Sequence, residues 1–128
     1  MVEKTCDFIL KVDAREPEKI KNLVAKSGMK HEVVQLPIGD FVCENICIER
    51  KEMSDLINSI RTGHLQKQLL QMEDSFERCF LIISGNPKDI WANPYLKGWT
   101  VNHQLGTLAS LAVRYPRTKL IQVDNDTP

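Results

Sequence analysis

The feature that most limits the fold is an apolar run at residues 80–83, FLII, which is bounded by Gly85. An uninterrupted run of this length beside a turn residue is typical of a central strand buried within a sheet. Segments with the residue types of strands precede and follow it, and segments with the apolar spacing of helices alternate with them. This alternation predicts an α/β domain with a mixed central sheet flanked by helices.

Five further strands are predicted from runs of β-branched and other apolar residues. They cover residues 6–12, 31–36, 41–43, 46–48 and 119–123. The third and fourth of them surround a Glu44-Asn45 turn, and this arrangement predicts a hairpin.

Three segments have the apolar spacing of helices. The first has Pro17 in its first turn and Gly28 at its end. The second has Ser54 as its N-cap and is broken at Gly63, after which the apolar spacing resumes. The third spans residues 105–112.

Length and composition fit a single domain over residues 1–128. The 17 basic and 17 acidic residues give a formal charge of zero, so the overall charge does not favour a nucleic-acid partner, although a local basic face stays open. We find neither a signal-peptide pattern nor an apolar run long enough for a membrane span. The sequence therefore predicts an intracellular protein without membrane contact, in the cytoplasm or nucleoid of a prokaryote or the nucleus of a eukaryote.

The four cysteines are Cys6, Cys43, Cys47 and Cys79, and they form no C-x-x-C pair. This spacing predicts reduced, buried thiols rather than a disulfide framework. A zinc site at Cys43 and Cys47 is the alternative, and it lacks a second pair of ligands.

Three carboxylates and a lysine carry the chemistry that the sequence predicts. Glu49 and Lys51 lie two residues apart in a predicted strand, so both project from one face while Arg50 projects from the other. Asp40 opens the strand that pairs with this one, and Asp13 ends a separate strand that could reach the same edge.

Clustered carboxylates need a cation or protons, because two like charges about 5 Å apart repel by about 3 kcal/mol at an effective dielectric constant near 20. Their hard oxygens suit magnesium or manganese. With a lysine that orients water or stabilises charge, they fit the in-line hydrolysis of a phosphodiester. The D…E-x-K pattern alone is weak, because a solvated, charge-rich hairpin explains it more often than a catalytic site does.

Four motifs occur in order along the chain: V-D-x-R-E at residues 12–16, G-D at 39–40, E-R-K-x-x-x-D at 49–55 and S-I-x-x-G-x-L-x-x-Q at 59–68. Together they resemble the XPF family of structure-specific endonucleases. The resemblance extends over roughly residues 8 to 123 and implies a restriction-endonuclease-like fold.

The resemblance also implies a site and a substrate. Mg²⁺ or Mn²⁺ would be held by Asp40 and Glu49 with Asp13 close by, and Lys51 would be essential for catalysis. Family members cut one DNA strand near duplex/single-strand junctions such as flaps, forks and nicked branches, in repair or recombination. The family's motif positions that would orient the metal ligands are Arg15, Glu16, Arg50 and Asp55. The resemblance leaves open a homodimer or a heterodimer with a DNA-binding partner.

Arg61, His64 and Gln68 follow each other at helical spacing, and this face could contact the DNA backbone. An ordinary solvated face explains the same pattern. His64 stands where the family often has arginine, and Ser84 stands where it often has an acidic residue before glycine.

Two other functions remain open at this point. The first is a non-cleaving DNA-binding or scaffold subunit, although the acidic residues and the lysine are all present. The second is a sequence-specific or RNA-directed nuclease on the same fold. Three roles are possible for Trp91, Tyr95 and Trp99. We expect packing in the core or loops first, a position in a subunit interface second, and stacking on DNA bases third.

Overall fold

A computed structural model of the chain describes residues 8–85 and 98–123. The sheet contains six strands: β1 (Leu10–Asp13), β2 (His31–Val34), β3 (Phe41–Cys43), β4 (Ile46–Glu52), β5 (Arg78–Ser84) and β6 (Thr118–Val123). The helices among the described residues are α1 (Glu18–Lys26), α2 (Met53–Thr62), α3 (His64–Ser75) and α4 (Val101–Arg114).

The strand order is β2-β1-β3-β4-β5-β6. The pairs β1/β2, β4/β5 and β5/β6 are parallel, whereas β3 is antiparallel to both β1 and β4. Strand β5 has a neighbour on each side, as the apolar run at residues 80–83 predicts. The α/β class and the mixed sheet are confirmed.

The predicted hairpin brings residues 40 and 49 to one place in the sheet. Cys43 pairs with Ile46 across the two-residue turn. At the other end of the hairpin, the backbone N–H of Asp40 donates to the carbonyl of Ile48 at 2.9 Å. Asp40 therefore lies beside β4 just before Glu49, where β1 also ends.

The two faces of the sheet carry separate cores. Cys47 belongs to the larger core, to which α2, α3 and α4 contribute residues such as Leu56, Leu69 and Leu111. The next residue of β4, Ile48, packs against the smaller core, which includes Ile20 of α1. Because side chains alternate along a strand, helices lie against both faces of the sheet.

Two sequence predictions need correction. Ser54 is not the N-cap of α2: the helix begins at Met53, directly after β4, and it has no side-chain cap. Met53 is buried in the larger core, so packing fixes the helix start there. In α4 the predicted apolar stripe is only partly inward, since Leu105 is 61% exposed while Gln104 and Leu111 are buried.

Other predictions concern the thiols and the aromatic residues. Cys43, Cys47 and Cys79 are buried and form no disulfide among the described residues, as predicted. Cys6, Trp91 and Tyr95 lie outside the described residues. Trp99 packs against the larger core and donates a hydrogen bond to Gln104. Over residues 8–85 and 98–123, we find no helix that combines the length and the apolar character of a membrane span.

Candidate active site

Nearly all of the predicted site residues line one cleft of about 460 Å³ at the end of β1 and β4. The charged and amide side chains that line it are Asp13, Arg15, Glu16, Asp40, Glu49, Arg50, Lys51, Glu52, Asp55 and Gln68. Six carboxylates thus face three cationic groups. This excess of negative charge favours the binding of a cation or of protons.

Asp40 and Glu49 form the centre of the cleft. Their side chains are close enough to hydrogen-bond to each other. Asp40 also accepts a hydrogen bond from the backbone N–H of Arg50 at 2.8 Å. Lys51 Nζ lies 3.8 Å from Glu49 Oε2, so Glu49 and Lys51 project from the same face of β4, as their spacing predicts.

The protonation of Glu49 reflects this crowding. Burial raises the pKa of Glu49, and the negative charge of Asp40 raises it further, while Lys51 lowers it. The result is a pKa of about 8 for a carboxyl group whose ordinary value is 4.5. In the metal-free protein near neutral pH, Glu49 therefore holds a proton that a bound cation would displace.

This pKa predicts how the stability of the metal-free protein depends on pH. The folded-state pKa of Glu49 lies above the unfolded value, so its contribution to stability is lost as pH rises from about 5 to 8, by at most about 1.4 kcal/mol per pH unit. In Glu49→Gln this loss is absent, so the variant should match the wild type near pH 4.5 and exceed it at pH 8. Urea unfolding in EDTA measures both proteins; parallel pH profiles would contradict the prediction.

Asp13 lies in the same cleft but is held by its own partners. It is buried and accepts hydrogen bonds from Arg15 Nε at 3.0 Å and from the backbone N–H of Leu36 at 3.1 Å. Arg15 in turn donates to the carbonyl of Leu36 at 2.7 Å. Burial raises the pKa of Asp13, but the hydrogen bonds from Arg15 and Leu36 outweigh it, and the net pKa is lowered. Asp13 is therefore a fixed negative charge.

Glu16 and Arg50 form a largely buried ion pair on the other face of β4. Arg50 Nε lies 3.0 Å from Glu16 Oε1, and the two side chains are 13% and 8% exposed. Burial raises the pKa of Glu16 and Arg50 lowers it, with a net rise to which Asp40 and Asp13 contribute. This pair joins the start of α1 to β4, beside the backbone group that holds Asp40.

The backbone conformation and close packing at position 39 explain why a glycine precedes Asp40. Its φ is +80°, in the left-handed region that side chains disfavour. A Cβ at this position would also overlap the sulfur of Cys47. The glycine lets the chain approach β4 closely and turn Asp40 toward Glu49.

The structure does not gather every predicted site residue. Arg61 and His64 are exposed and do not line the cleft. Arg61 also does not share one helix face with the other two, because Gly63, with φ +79°, ends α2 and separates it from α3, which contains both His64 and Gln68. Within the described ranges, no three His, Cys, Asp or Glu side chains converge as a metal-binding group.

Two contributors to the cleft were missed in the sequence. Glu52 is the last residue of β4, where the strand alternation that identifies Glu49 and Lys51 ends. The backbone of Leu36, which holds Asp13 and Arg15, has no sequence signal because any residue supplies the same N–H and carbonyl.

Comparison with known proteins identifies similar sequences. The sequence model of the ERCC4 domain matches residues 12–127. The chain is 36% identical over 121 residues to "DNA repair endonuclease XPF" of Drosophila melanogaster, covering 86% of this chain and 12% of that protein. It is 29% identical over 116 residues to the protein of the same name from Mus musculus, covering 86% and 13%. The chain thus spans about an eighth of these relatives.

A solved structure is also similar. The chain matches XPF from Aeropyrum pernix in complex with DNA, with a TM-score of 0.78 and 25% identity, over 93% of this chain and 57% of that one. The fold and the sequence motifs thus agree with one family over nearly the whole chain. The chain carries an ERCC4 domain and belongs to the XPF family of nucleases.

Proposed function

We propose that this chain is a divalent-metal-dependent endonuclease domain that cuts one strand of branched DNA at flaps, forks or nicked junctions. The observation that carries the proposal is the contact between Asp40 and Glu49 beside the ammonium group of Lys51. Two carboxylates in contact, in a cleft with excess negative charge, repel each other unless a proton or a cation is bound. Such an arrangement favours the binding of a divalent cation.

The donor set fits magnesium or manganese. Asp40 and Glu49 would hold the ion through carboxylate oxygens, the ligand type that both metals prefer. When bound, the ion supplies Lewis-acid stabilisation of the charge that develops on the phosphate. Asp13, whose oxygens already accept from Arg15 and Leu36, would add negative potential to the site rather than a primary ligand.

The side chains of this site have distinct tasks in hydrolysis. A water oxygen forms a bond to phosphorus, and the bond from phosphorus to the leaving sugar oxygen breaks with its electron pair going to that oxygen. The water loses one proton to solvent, and the leaving oxygen gains one. Lys51 donates to the oxygens on which negative charge develops, or to the water. Arg15, Glu16, Arg50 and Asp55 fix the positions of the carboxylates.

The partner of this cleft would be DNA inside the cell, where branched intermediates of repair and recombination form. Arg61 and His64, outside the cleft, would contact the DNA backbone next to it. We also propose that the chain works as a homodimer or with a DNA-binding partner, because its zero net charge supplies little attraction to phosphates.

A second candidate function is a non-cleaving DNA-binding or scaffold subunit. The observation that favours it is that no three potential ligand side chains converge among the described residues. Such a subunit would bind flaps but would not cut them. The two candidates therefore differ in one measurable property.

A labelled flap tests the proposal directly. The wild type is expected to nick the flap with Mg²⁺ or Mn²⁺ and not in EDTA, and Lys51→Ala should slow nicking by about 100-fold, the usual loss when one charge-stabilising donor is removed. Gel electrophoresis of an end-labelled strand measures both rates.

The control is Lys67→Ala, an exposed lysine of α3 that does not line the cleft. It should nick at the wild-type rate. Wild-type nicking no faster than that of Lys51→Ala would support the scaffold function. Faster cleavage of plain duplex, single strand or hairpin RNA than of the flap would contradict the proposed substrate.

A further inference from the structure

Gln68 of α3 contributes to the cleft, and its side-chain carbonyl has no hydrogen-bond partner within the described part of the chain. It lines the same cleft as Lys51 and Asp55. Its Oε1 is buried and accepts no hydrogen bond from the residues that the structure describes. Buried carbonyl oxygens in proteins are nearly always hydrogen-bonded, to the protein or to an ordered water, so this atom calls for a donor.

The orphan atom decides what Gln68 can contact. A phosphate group of DNA offers only acceptors, so it could be bound by the amide N–H₂ of Gln68 but not by Oε1. The buried oxygen needs an N–H or O–H group inside the cleft. If Gln68 only contacted the DNA backbone, its buried Oε1 would therefore still lack a hydrogen-bond donor.

Lys51 provides the complementary group. Its ammonium has three N–H donors, and its side chain is 15% exposed. The ion pair with Glu49 Oε2 spans 3.8 Å, which exceeds hydrogen-bond length. Lys51 and Gln68 therefore bring an ammonium donor and a carbonyl acceptor to one cleft, and a water that accepts from the first and donates to the second would satisfy both.

We propose that Gln68 is a positioning residue that, together with Lys51, holds the attacking water of the phosphodiester hydrolysis. This inference rests on the proposed endonuclease function. The Lys51 N–H group donates to the water oxygen, and one water O–H group donates to Gln68 Oε1. The second lone pair of the water then remains directed toward phosphorus.

The amide carbonyl is too weak a base to take the proton, so the reaction balance is unchanged. The oxygen–phosphorus bond forms, the bond to the leaving sugar oxygen breaks, and the water proton leaves to solvent. Gln68 contributes by orienting the water. When one O–H direction is fixed, the water is held in orientations from which it can attack phosphorus.

The test replaces Gln68 with methionine, which keeps the length and apolar volume of the side chain and removes the acceptor. Gln66→Met is a matched control from the same helix. Gln66 Oε1 is also buried without a partner, but Gln66 lines a different cavity, against Asn102 and Arg114 of α4. Nicking rates of the flap under single-turnover conditions, flap affinity in EDTA and thermal midpoints are measured for the full chain.

For Gln68→Met we expect a rate lower by about 10- to 100-fold with flap affinity unchanged, because misplacement of a reactant by about 1 Å can cost about 100-fold in rate. Gln66→Met should retain the wild-type rate. A wild-type rate in Gln68→Met would overturn the inference while leaving the endonuclease function intact. A parallel loss of affinity and rate would instead identify a DNA contact and also overturn it.

A crystal structure of the protein gives a readout that does not depend on activity. The inference expects an ordered water within hydrogen-bond distance of both Gln68 Oε1 and Lys51 Nζ in the wild type. A direct hydrogen bond between the two side chains, or Gln68 Oε1 turned to solvent, would overturn it. If the flap is not cut at all, the proposed function fails on the nicking assay, whereas the water site is still decided by this structure.

Discussion

Asp40→Asn is expected to lower the rate of metal-supported nicking by about 1000-fold while the fold persists. The substitution removes one of the two charges that would hold the metal, and loss of about 4 kcal/mol of charge stabilisation corresponds to three orders of magnitude in rate. Asparagine retains a side-chain carbonyl, so it can still accept from the backbone N–H of Arg50, the bond that Asp40 makes at 2.8 Å. Single-turnover nicking of a flap measures the effect.

Circular dichroism and urea unfolding provide the control for this variant. In EDTA at a pH above the Glu49 pKa of about 8, where both carboxylates are charged, Asp40→Asn relieves repulsion and should be at least as stable as the wild type. Asp74→Asn, an exposed carboxylate of α3 that does not line the cleft, should leave both rate and stability unchanged. Loss of helical and sheet signal in Asp40→Asn would show that Asp40 is needed for folding rather than for chemistry.

The largest expected loss of stability comes from breaking the Glu16–Arg50 pair. Arg50→Ala should lower the free energy of unfolding by about 3 kcal/mol near pH 7, because it leaves Glu16 buried without its ion-pair partner. The backbone N–H that holds Asp40 remains. Chemical denaturation of wild type and variant measures the difference.

A double-mutant cycle isolates the ion pair from simple loss of packing. Glu16→Leu combined with Arg50→Met should be less destabilised than Arg50→Met alone, since no charge stays buried in the double variant. Lower pH should also reduce the effect of Arg50→Ala, because protonation neutralises Glu16. If the effects of Glu16→Leu and Arg50→Met were additive at every pH, the pair would contribute nothing beyond packing.

The sequence by itself determined the α/β class, the hairpin and the pairing of Glu49 with Lys51 on one face. These properties follow from local patterns: a strand alternates its side chains every residue, and a two-residue turn sets the register of its two strands. The apolar run at residues 80–83 identified an internal strand, because a strand covered on both faces carries apolar side chains at successive positions. Such patterns need no knowledge of distant contacts.

Only the tertiary structure decided which groups hold the site in place. The hydrogen bond between Asp13 and Leu36 links residues 23 positions apart, and the Glu16–Arg50 pair links residues 34 apart. The break at Gly63 turns Gln68 into the cleft and leaves Arg61 outside it, although their spacing suggested one helix face. Side-chain direction across a break depends on how both helices pack on the sheet, and no local pattern encodes that packing.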